Sequence, residues 1–259
     1  MRDETLIAYY GKFNEEKRLN SRHGQVEFIT TMKVVHEYLD KFENPKILEL
    51  GAGTGRYSVT LANEGYDVSA VELVKSNLGT LKAKKSSVKA YLGNAMDLHR
   101  FKDEEFDVIL IFGPMYHLFT DEDKVKVLTE SKRVLSKNGY ILVAYCMNEY
   151  AIITHGFKEK SLFEKSDTIT EDFHVQSDLV NLFDFVRMED IDRINEKAGV
   201  QRVEIVAADG PANYLRPQLK NMNDQEFELF MKYHLATYKR MDCIGASTHT
   251  VDVIQKSGC

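Results

Sequence analysis

The fold of this chain is decided by one stretch, Lys46-Ile47-Leu48-Glu49-Leu50-Gly51-Ala52-Gly53-Thr54-Gly55-Arg56-Tyr57. A short apolar run stops at three glycines on alternate positions, and helix-like spacing of apolar residues follows from Thr54, which predicts a strand, a tight turn and a helix. Glycine allows the sharp turn and lets a ligand approach bare backbone. The helix N-terminus directs unpaired N–H groups and a positive dipole end to the same place. The stretch therefore predicts a cradle for an anionic or polar ligand.

Strand and helix patterns alternate on both sides of this turn. Strands are predicted at 46–50, 67–73, 88–92, 106–112, 140–146, 201–207 and 248–254. Helices are predicted at 26–42, 54–64, 75–85, 121–136, 188–198 and 224–240. The fourth strand is apolar nearly throughout, as expected of a strand buried on both faces. The alternation predicts an α/β fold with an open, mostly parallel sheet covered by helices on both faces.

The composition excludes several classes of protein. With 259 residues, 43% hydrophobic and 29% charged, the chain resembles ordinary globular proteins with one large domain. Its net charge of -6 and lack of a long basic run argue against a nucleic-acid substrate. No signal peptide, bilayer-spanning run, disulfide framework or zinc-type cysteine spacing is present, so we expect a cytoplasmic protein without membrane contacts or a bound metal.

The glycine spacing separates two kinds of nucleotide site. A dinucleotide fingerprint would place its third glycine at position 56, which is Arg56. Glu72 ends the second strand at the distance expected of a ribose-binding carboxylate. With two later segments in the same order, 93–98 and 113–118, the chain resembles the class I S-adenosylmethionine-dependent methyltransferases. A structural turn in some other α/β protein is the alternative, and it leaves those later segments unexplained.

This resemblance implies a Rossmann-like class I methyltransferase fold, with a seven-stranded, mostly parallel sheet and a last antiparallel strand. It divides the chain into a helical lid at 1–44, a cofactor-binding core at 45–146 and a substrate-cap insertion at 147–187. Residues 188–259 would complete the sheet, with a helical insertion at 211–246.

The resemblance also assigns the parts of the cofactor. Glu49 matches the acidic residue near the methionine amino group, although it could instead cap the adjoining helix. Glu72 has two acceptor oxygens that suit the ribose diol, and Leu73 would pack on the adenine. Gly93-Asn94-Ala95-Met96-Asp97-Leu98 is similar to the family's adenine-binding segment, except that Asn94 replaces an Asp. The full set of expected cofactor contacts is Tyr10, Arg18, Glu49, Gly51, Ala52, Gly53, Gly55, Glu72, Leu73, Asn94, Ala95, Met96, Phe112 and Gly113.

The loop after the fourth strand is expected to face the transferable methyl group, because ligands lie at the carboxyl ends of strands. Its sequence, Gly113-Pro114-Met115-Tyr116-His117-Leu118, resembles a Gly-Pro-x-Tyr-His-Leu branch that often methylates small molecules. Tyr116 and His117 are the catalytic candidates, and His117 is the candidate general base because imidazole titrates near neutral pH. The alternative is that His117 binds backbone and holds the loop in shape.

The function implied is methyl transfer from S-adenosylmethionine to a small-molecule acceptor by in-line displacement, with S-adenosylhomocysteine released. An RNA-modifying methyltransferase and a non-catalytic S-adenosylmethionine-binding protein are the alternatives. A nicotinamide-dependent dehydrogenase is disfavoured by the glycine spacing and by the absence of a Tyr-x-x-x-Lys pair.

Overall fold

The computed structural model describes residues 2–10, 21–163, 168–177 and 182–258. Its helices are α1 (Arg2–Tyr10), α2 (Arg22–Leu39), α3 (Arg56–Asn63), α4 (Lys75–Ala83), α5 (Asp121–Val134), α6 (Asn148–Ala151), α7 (Met188–Ala198), α8 (Arg216–Asn221), α9 (Asp224–Thr237) and α10 (Met241–Ile244). Its strands are β1 (Lys46–Leu50), β2 (Asp67–Glu72), β3 (Lys89–Leu92), β4 (Phe106–Ile111), β5 (Leu135–Met147), β6 (Phe185–Val186), β7 (Val200–Ala207) and β8 (His249–Lys256). Within these ranges, no helix is both long enough and apolar enough to cross a membrane.

The strands form one sheet in the order β3-β2-β1-β4-β5-β8-β7, with the short β6 beside the end of β5. Strands β1 to β5 pair in parallel, whereas β8 runs antiparallel to both β5 and β7. The predicted fold class is therefore confirmed, including the last antiparallel strand. The two-residue β6 adds an eighth strand to the seven of the predicted sheet.

Helices cover both faces of this sheet because the central strands are apolar on both sides. In β4, Val108 and Leu110 pack with α2 and α3, while Ile109 and Ile111 pack with α5 and α7. Each of these four side chains is fully buried. The sheet is thus a rigid base whose carboxyl edge presents the connecting loops.

The sequence predicts a strand pair after β5, over 173–175 and 179–185, of which residues 179–181 lie outside the described ranges. The structure has an isolated antiparallel bridge between Ile169 and Val175, and Phe185 pairs with β5 instead. Side chains hold this segment: Asn148 Nδ2 donates to the carbonyl of Phe173 at 2.9 Å. Because such contacts replace a regular ladder, period-two alternation was a poor guide here.

Candidate functional site

The glycine turn after β1 exposes its backbone without side chains at Gly51, Gly53 and Gly55. Gly51 has φ of 69° and its N–H donates to the carbonyl of Val71 at 2.8 Å. A Cβ at Gly51 would lie 2.7 Å from Cδ of Pro114, so the turn packs directly against the loop after β4. A Cβ at Gly53, which has φ of 56°, would meet no atom of the described residues within 4 Å. Open space therefore lies over the middle of the turn.

Glu72, at the end of β2, borders that turn. Its Oε2 accepts the N–H of Gly53 and its Oε1 accepts the N–H of Val74, each at 2.7 Å. The side chain is buried, and burial raises the pKa of its carboxyl even though these N–H groups favour the charged form. The structure thus brings a desolvated carboxylate to the open side of the glycine turn, and that carboxylate still has lone pairs for a ligand diol.

Glu49 lies on the other side of the turn and is 2% exposed. Its Oε2 accepts the N–H of Ser58, in the first turn of α3, at 2.9 Å. Burial, together with the charge of Glu72, raises the pKa of Glu49 to about 7 despite the Ser58 bond. The bond to Ser58 is the contact expected if Glu49 caps the adjoining helix. The cofactor role of Glu49 stays a prediction.

The predicted adenine segment forms a turn after β3. Asn94 Oδ1 accepts the N–H of Met96 at 3.0 Å, and the carbonyl of Asn94 accepts from Asp97. Ala95 is buried and Met96 is half-buried against the core. The segment also lies next to Glu72, whose carbonyl accepts the N–H of Gly93 at 3.0 Å. Leu73, also half-buried, follows Glu72 directly, so the candidate adenine residues gather at one end of the carboxyl edge.

The loop after β4 lies on the opposite side of the glycine turn. A Cβ at Gly113 would meet the carbonyl oxygen of Gly51 at 3.1 Å. The Tyr116 hydroxyl donates to the carbonyl of Phe112 at 2.8 Å, and the ring of Phe112 packs on Tyr57. The Tyr116 hydroxyl is thus bonded to the backbone of its own loop, and its ring packs beside Phe183 and His249.

His117 lies in the same loop and is 5% exposed. Its Nδ1 donates to the carbonyl of Leu182 at 2.8 Å. Burial lowers the pKa of His117 to about 4. An imidazole with that pKa is a weak proton acceptor. The contact favours the loop-holding role that the sequence left open, and general-base catalysis by His117 stays a prediction.

An aromatic cluster connects this loop with α1 and with the segment before β6. The Phe183 ring lies against Tyr116, His117 and Tyr9, with centroid distances of 5.9, 4.9 and 6.0 Å. An N-terminal tyrosine thus reaches the candidate methyl-transfer side. The predicted contacts of the Tyr10 side chain and of Arg18 lie outside the described residues.

Three further residues at this edge were missed by sequence reasoning. Asp209 follows β7, His249 begins β8, and Glu27 lies in α2. One polar side-chain atom of each residue lies within 4.8 Å of those of the other two. The His249 ring is 6.4 Å from that of Tyr116. No motif joins residues so distant in sequence. The available signal was the antiparallel direction of β8, which places its first residue at the carboxyl edge.

These residues fit a nucleoside with a charged amino-acid tail. The open space over Gly53 would be filled by any side chain, and the buried carboxylates of Glu72 and Glu49 offer acceptors to a diol and an amine. S-adenosylmethionine carries both a ribose diol and an amine. Residues 51–55 of the turn itself include no Lys or Arg, the side chains that a pyrophosphate would favour.

Comparison with known proteins agrees with this fit. Residues 48–143 match the family model for a methyltransferase domain. The chain is 29% identical over 123 residues to a glycine/sarcosine N-methyltransferase of Aphanothece halophytica, an alignment that covers 46% of each protein. It is 30% identical over 103 residues to the putative methyltransferase YqeM of Bacillus subtilis, covering 39% of this chain and 42% of that protein. The chain thus spans less than half the length of these curated relatives.

Solved structures share the fold at low identity. A methyltransferase of Thermotoga maritima, described as S-adenosylmethionine-dependent and as a possible histamine N-methyltransferase, superposes with a TM-score of 0.59. It is 19% identical, and the superposition covers 94% of this chain and 96% of that one. This likeness shows a shared fold, and the methyltransferase-domain match over residues 48–143 is the separate observation that points to S-adenosylmethionine as the cofactor. The finer resemblance to the Gly-Pro-x-Tyr-His-Leu branch stays a prediction.

Proposed function

We propose that the chain transfers a methyl group from S-adenosylmethionine to a small-molecule acceptor by in-line displacement, releasing S-adenosylhomocysteine. The observation that carries this proposal is the open space over Gly53, bordered by the buried carboxylate of Glu72. A ribose diol donates two hydrogen bonds to one carboxylate in such a place. The match of residues 48–143 to a methyltransferase domain supports it independently.

When bound, S-adenosylmethionine supplies an electrophilic methyl group on a sulfonium sulfur. The backbone of the glycine turn and Glu72 would hold the ribose end, with Leu73 and Met96 near the adenine. Aromatic rings attract a sulfonium cation, and the ring of Tyr116 would lie on that side of the glycine turn. Correct alignment of acceptor and methyl group supplies most of the catalysis in such a displacement.

The acceptor half is proposed to be enclosed by the N-terminal segment 1–44 and by the insertions 147–187 and 211–246. The contacts of Phe183 with Tyr9 and Tyr116 support this, since they join two of these regions to the loop after β4. The net charge of -6 disfavours RNA, whose phosphates require basic surfaces. The curated relative from Aphanothece halophytica is named for small amino-acid acceptors, which favours a small molecule here.

Two measurements test the proposal. Titration calorimetry should show binding of S-adenosylmethionine and no binding of NADH. Radiolabelled methyl transfer should then appear with a small-molecule panel that includes glycine, sarcosine and histamine, and not with total RNA. Binding without transfer to any acceptor would favour the non-catalytic alternative, and labelling of RNA would favour the nucleic-acid one.

Substitution of Glu72 tests the ribose assignment. Glu72→Ala should weaken S-adenosylhomocysteine binding by about 1–3 kcal/mol, roughly 5- to 150-fold in Kd, the scale for lost hydrogen bonds to a charged group. Asp67→Ala is the matched control, because Asp67 lies at the opposite end of β2 and only pairs with exposed Lys89. Equal affinities of the two variants would contradict the assignment of Glu72.

A further inference from the structure

His249 occupies a defined place on the carboxyl edge. It pairs with Cys146 near the end of β5, and its ring lies beside Tyr116, which follows β4. The candidate nucleoside residues lie over β1, β2 and β3, whereas His249 lies beyond β4 in the sheet order. His249 is therefore on the side of the glycine turn where an acceptor would meet the methyl group.

Asp209 fixes the orientation of the His249 side chain. It is fully buried, and its Oδ2 accepts from Nδ1 of His249 at 2.8 Å and from Asn213 at 2.7 Å. Its Oδ1 accepts from the Ser247 hydroxyl at 2.8 Å and from the N–H groups of Thr248 and His249 at 3.0 Å each. Both carboxylate oxygens are thus occupied by protein donors, which is the arrangement of an orienting carboxylate and leaves little for a cation.

The orientation leaves Nε2 as the reactive atom. Nδ1 of His249 is bonded to Asp209, whereas Nε2 has no hydrogen-bond partner among the described residues. The His249 side chain is 15% exposed. A histidine whose Nδ1–H is held by a carboxylate presents Nε2 in a fixed direction as a proton acceptor.

Charged and titratable groups face His249 from every neighbouring element. They are Glu27 of α2, Asp209 after β7, Cys146 of β5 and Tyr116 after β4. Burial lowers the pKa of His249, but Glu27, Cys146 and Asp209 together raise it well above its usual value. Near neutral pH these neighbours therefore favour the imidazolium, and the neutral form of His249 that accepts a proton at Nε2 becomes available as the pH rises.

We propose that His249, positioned by Asp209, is the acid–base residue of the acceptor side, with Nε2 receiving the proton of the methyl acceptor. This rests on the proposed methyl transfer. The acceptor's nucleophilic atom bonds to the methyl carbon as the carbon–sulfur bond breaks, and the electron pair of that bond stays on sulfur. The acceptor's proton passes to Nε2, and the imidazolium returns it to water after product release.

The test needs no identified acceptor. Sinefungin carries a C–NH3+ group where S-adenosylmethionine carries its S-methyl group, while S-adenosylhomocysteine has no charge there. We expect the Kd ratio of S-adenosylhomocysteine to sinefungin to rise on the order of three- to tenfold as His249 loses its proton and ceases to repel the ammonium. Calorimetry between about pH 6 and about pH 9.5 measures this ratio from the ordinary titration range of histidine into the higher range toward which Glu27, Cys146 and Asp209 shift the pKa of His249.

Two variants complete the experiment. His249→Gln should abolish the pH dependence of the ratio while leaving S-adenosylhomocysteine affinity within about twofold. His36→Gln is the matched control, since His36 pairs with Glu64 at the surface of α2, and it should behave as the parent protein. The same pH dependence in His249→Gln as in the parent would overturn the inference and leave the proposed function intact. Failure of both ligands to bind the parent protein would overturn both.

Discussion

Alanine substitutions at Gly51 and Gly53 distinguish the packing role of the turn after β1 from its ligand-binding role. Gly51 and Gly53 both have positive φ, 69° and 56°, which costs an alanine roughly 1–2 kcal/mol at either position. Only at Gly51 does the added Cβ meet atoms, at 2.7 and 2.8 Å from Cδ and Cγ of Pro114. That ring is rigid, so overpacking adds roughly 1–3 kcal/mol. Gly51→Ala should therefore destabilise by about 2–5 kcal/mol and Gly53→Ala by about 1–2 kcal/mol.

Thermal unfolding without ligand measures this difference, at about 2–4 °C per kcal/mol for a chain of this size. Calorimetry with S-adenosylhomocysteine should reveal a second effect, because the Cβ of Gly53→Ala enters the open space over the turn. Gly53→Ala should thus be the more stable of the two variants and still lose cofactor affinity. Gly245→Ala is the control, with φ of -63° and nothing within 4 Å. Equal loss of Tm in the two turn variants, or unimpaired ligand binding by Gly53→Ala, would refute this account of the turn.

Two buried groups should make stability depend on pH in opposite directions. The pKa of Glu49 is raised from 4.5 to about 7, so ionisation between these values costs the folded state up to roughly 3 kcal/mol. Glu49→Gln should raise Tm at about pH 8 and change it little at about pH 4.5, and an identical shift at both would contradict this. The pKa of His117 is lowered from 6.5 to about 4, so folding stability is full above 6.5 and falls by roughly 3 kcal/mol as the pH drops to 4. His117→Gln should flatten that loss in acid melting curves, and an unchanged slope would exclude His117 as its source.

Local patterns were sufficient for most of the fold. Helix α7 begins and ends where predicted, at Met188 and Ala198, because its apolar spacing is followed by Gly199 in the left-handed conformation. Strand β4 was evident from its continuous apolar character. The start of β5 was less well predicted: the structure extends it back to Leu135, where the pairing with β4 shifts register near Phe106. A bulge of this kind depends on the partner strand, which periodicity within one segment does not describe.

Within the candidate site, too, residues near each other in sequence were predicted and residues brought together by long-range pairing were not. Glu72 was found because it ends the strand that follows the glycine turn, and parallel neighbours bring their ends together. Asp209 and His249 were missed because β8 inserts between β5 and β7, a pairing set by long-range topology. The residues expected to bind the nucleoside therefore come from consecutive segments of the sequence. The residues on the acceptor side come from α2 and from the last two strands, which are distant in sequence.

The two buried carboxylates of the nucleoside half carry an energetic consequence. Glu49 and Glu72 are 2% and 5% exposed, and burial raises the pKa of both carboxyl groups, so each is less stable as an anion than it would be in water. At position 49 a glutamine would relieve that cost and still accept the N–H of Ser58. A ligand with a positive amine and a donor diol would instead supply the missing stabilisation to both carboxylates on binding. Cofactor affinity and folding stability should accordingly respond in opposite directions when Glu49 is made neutral, which a structural cap for α3 alone would not require.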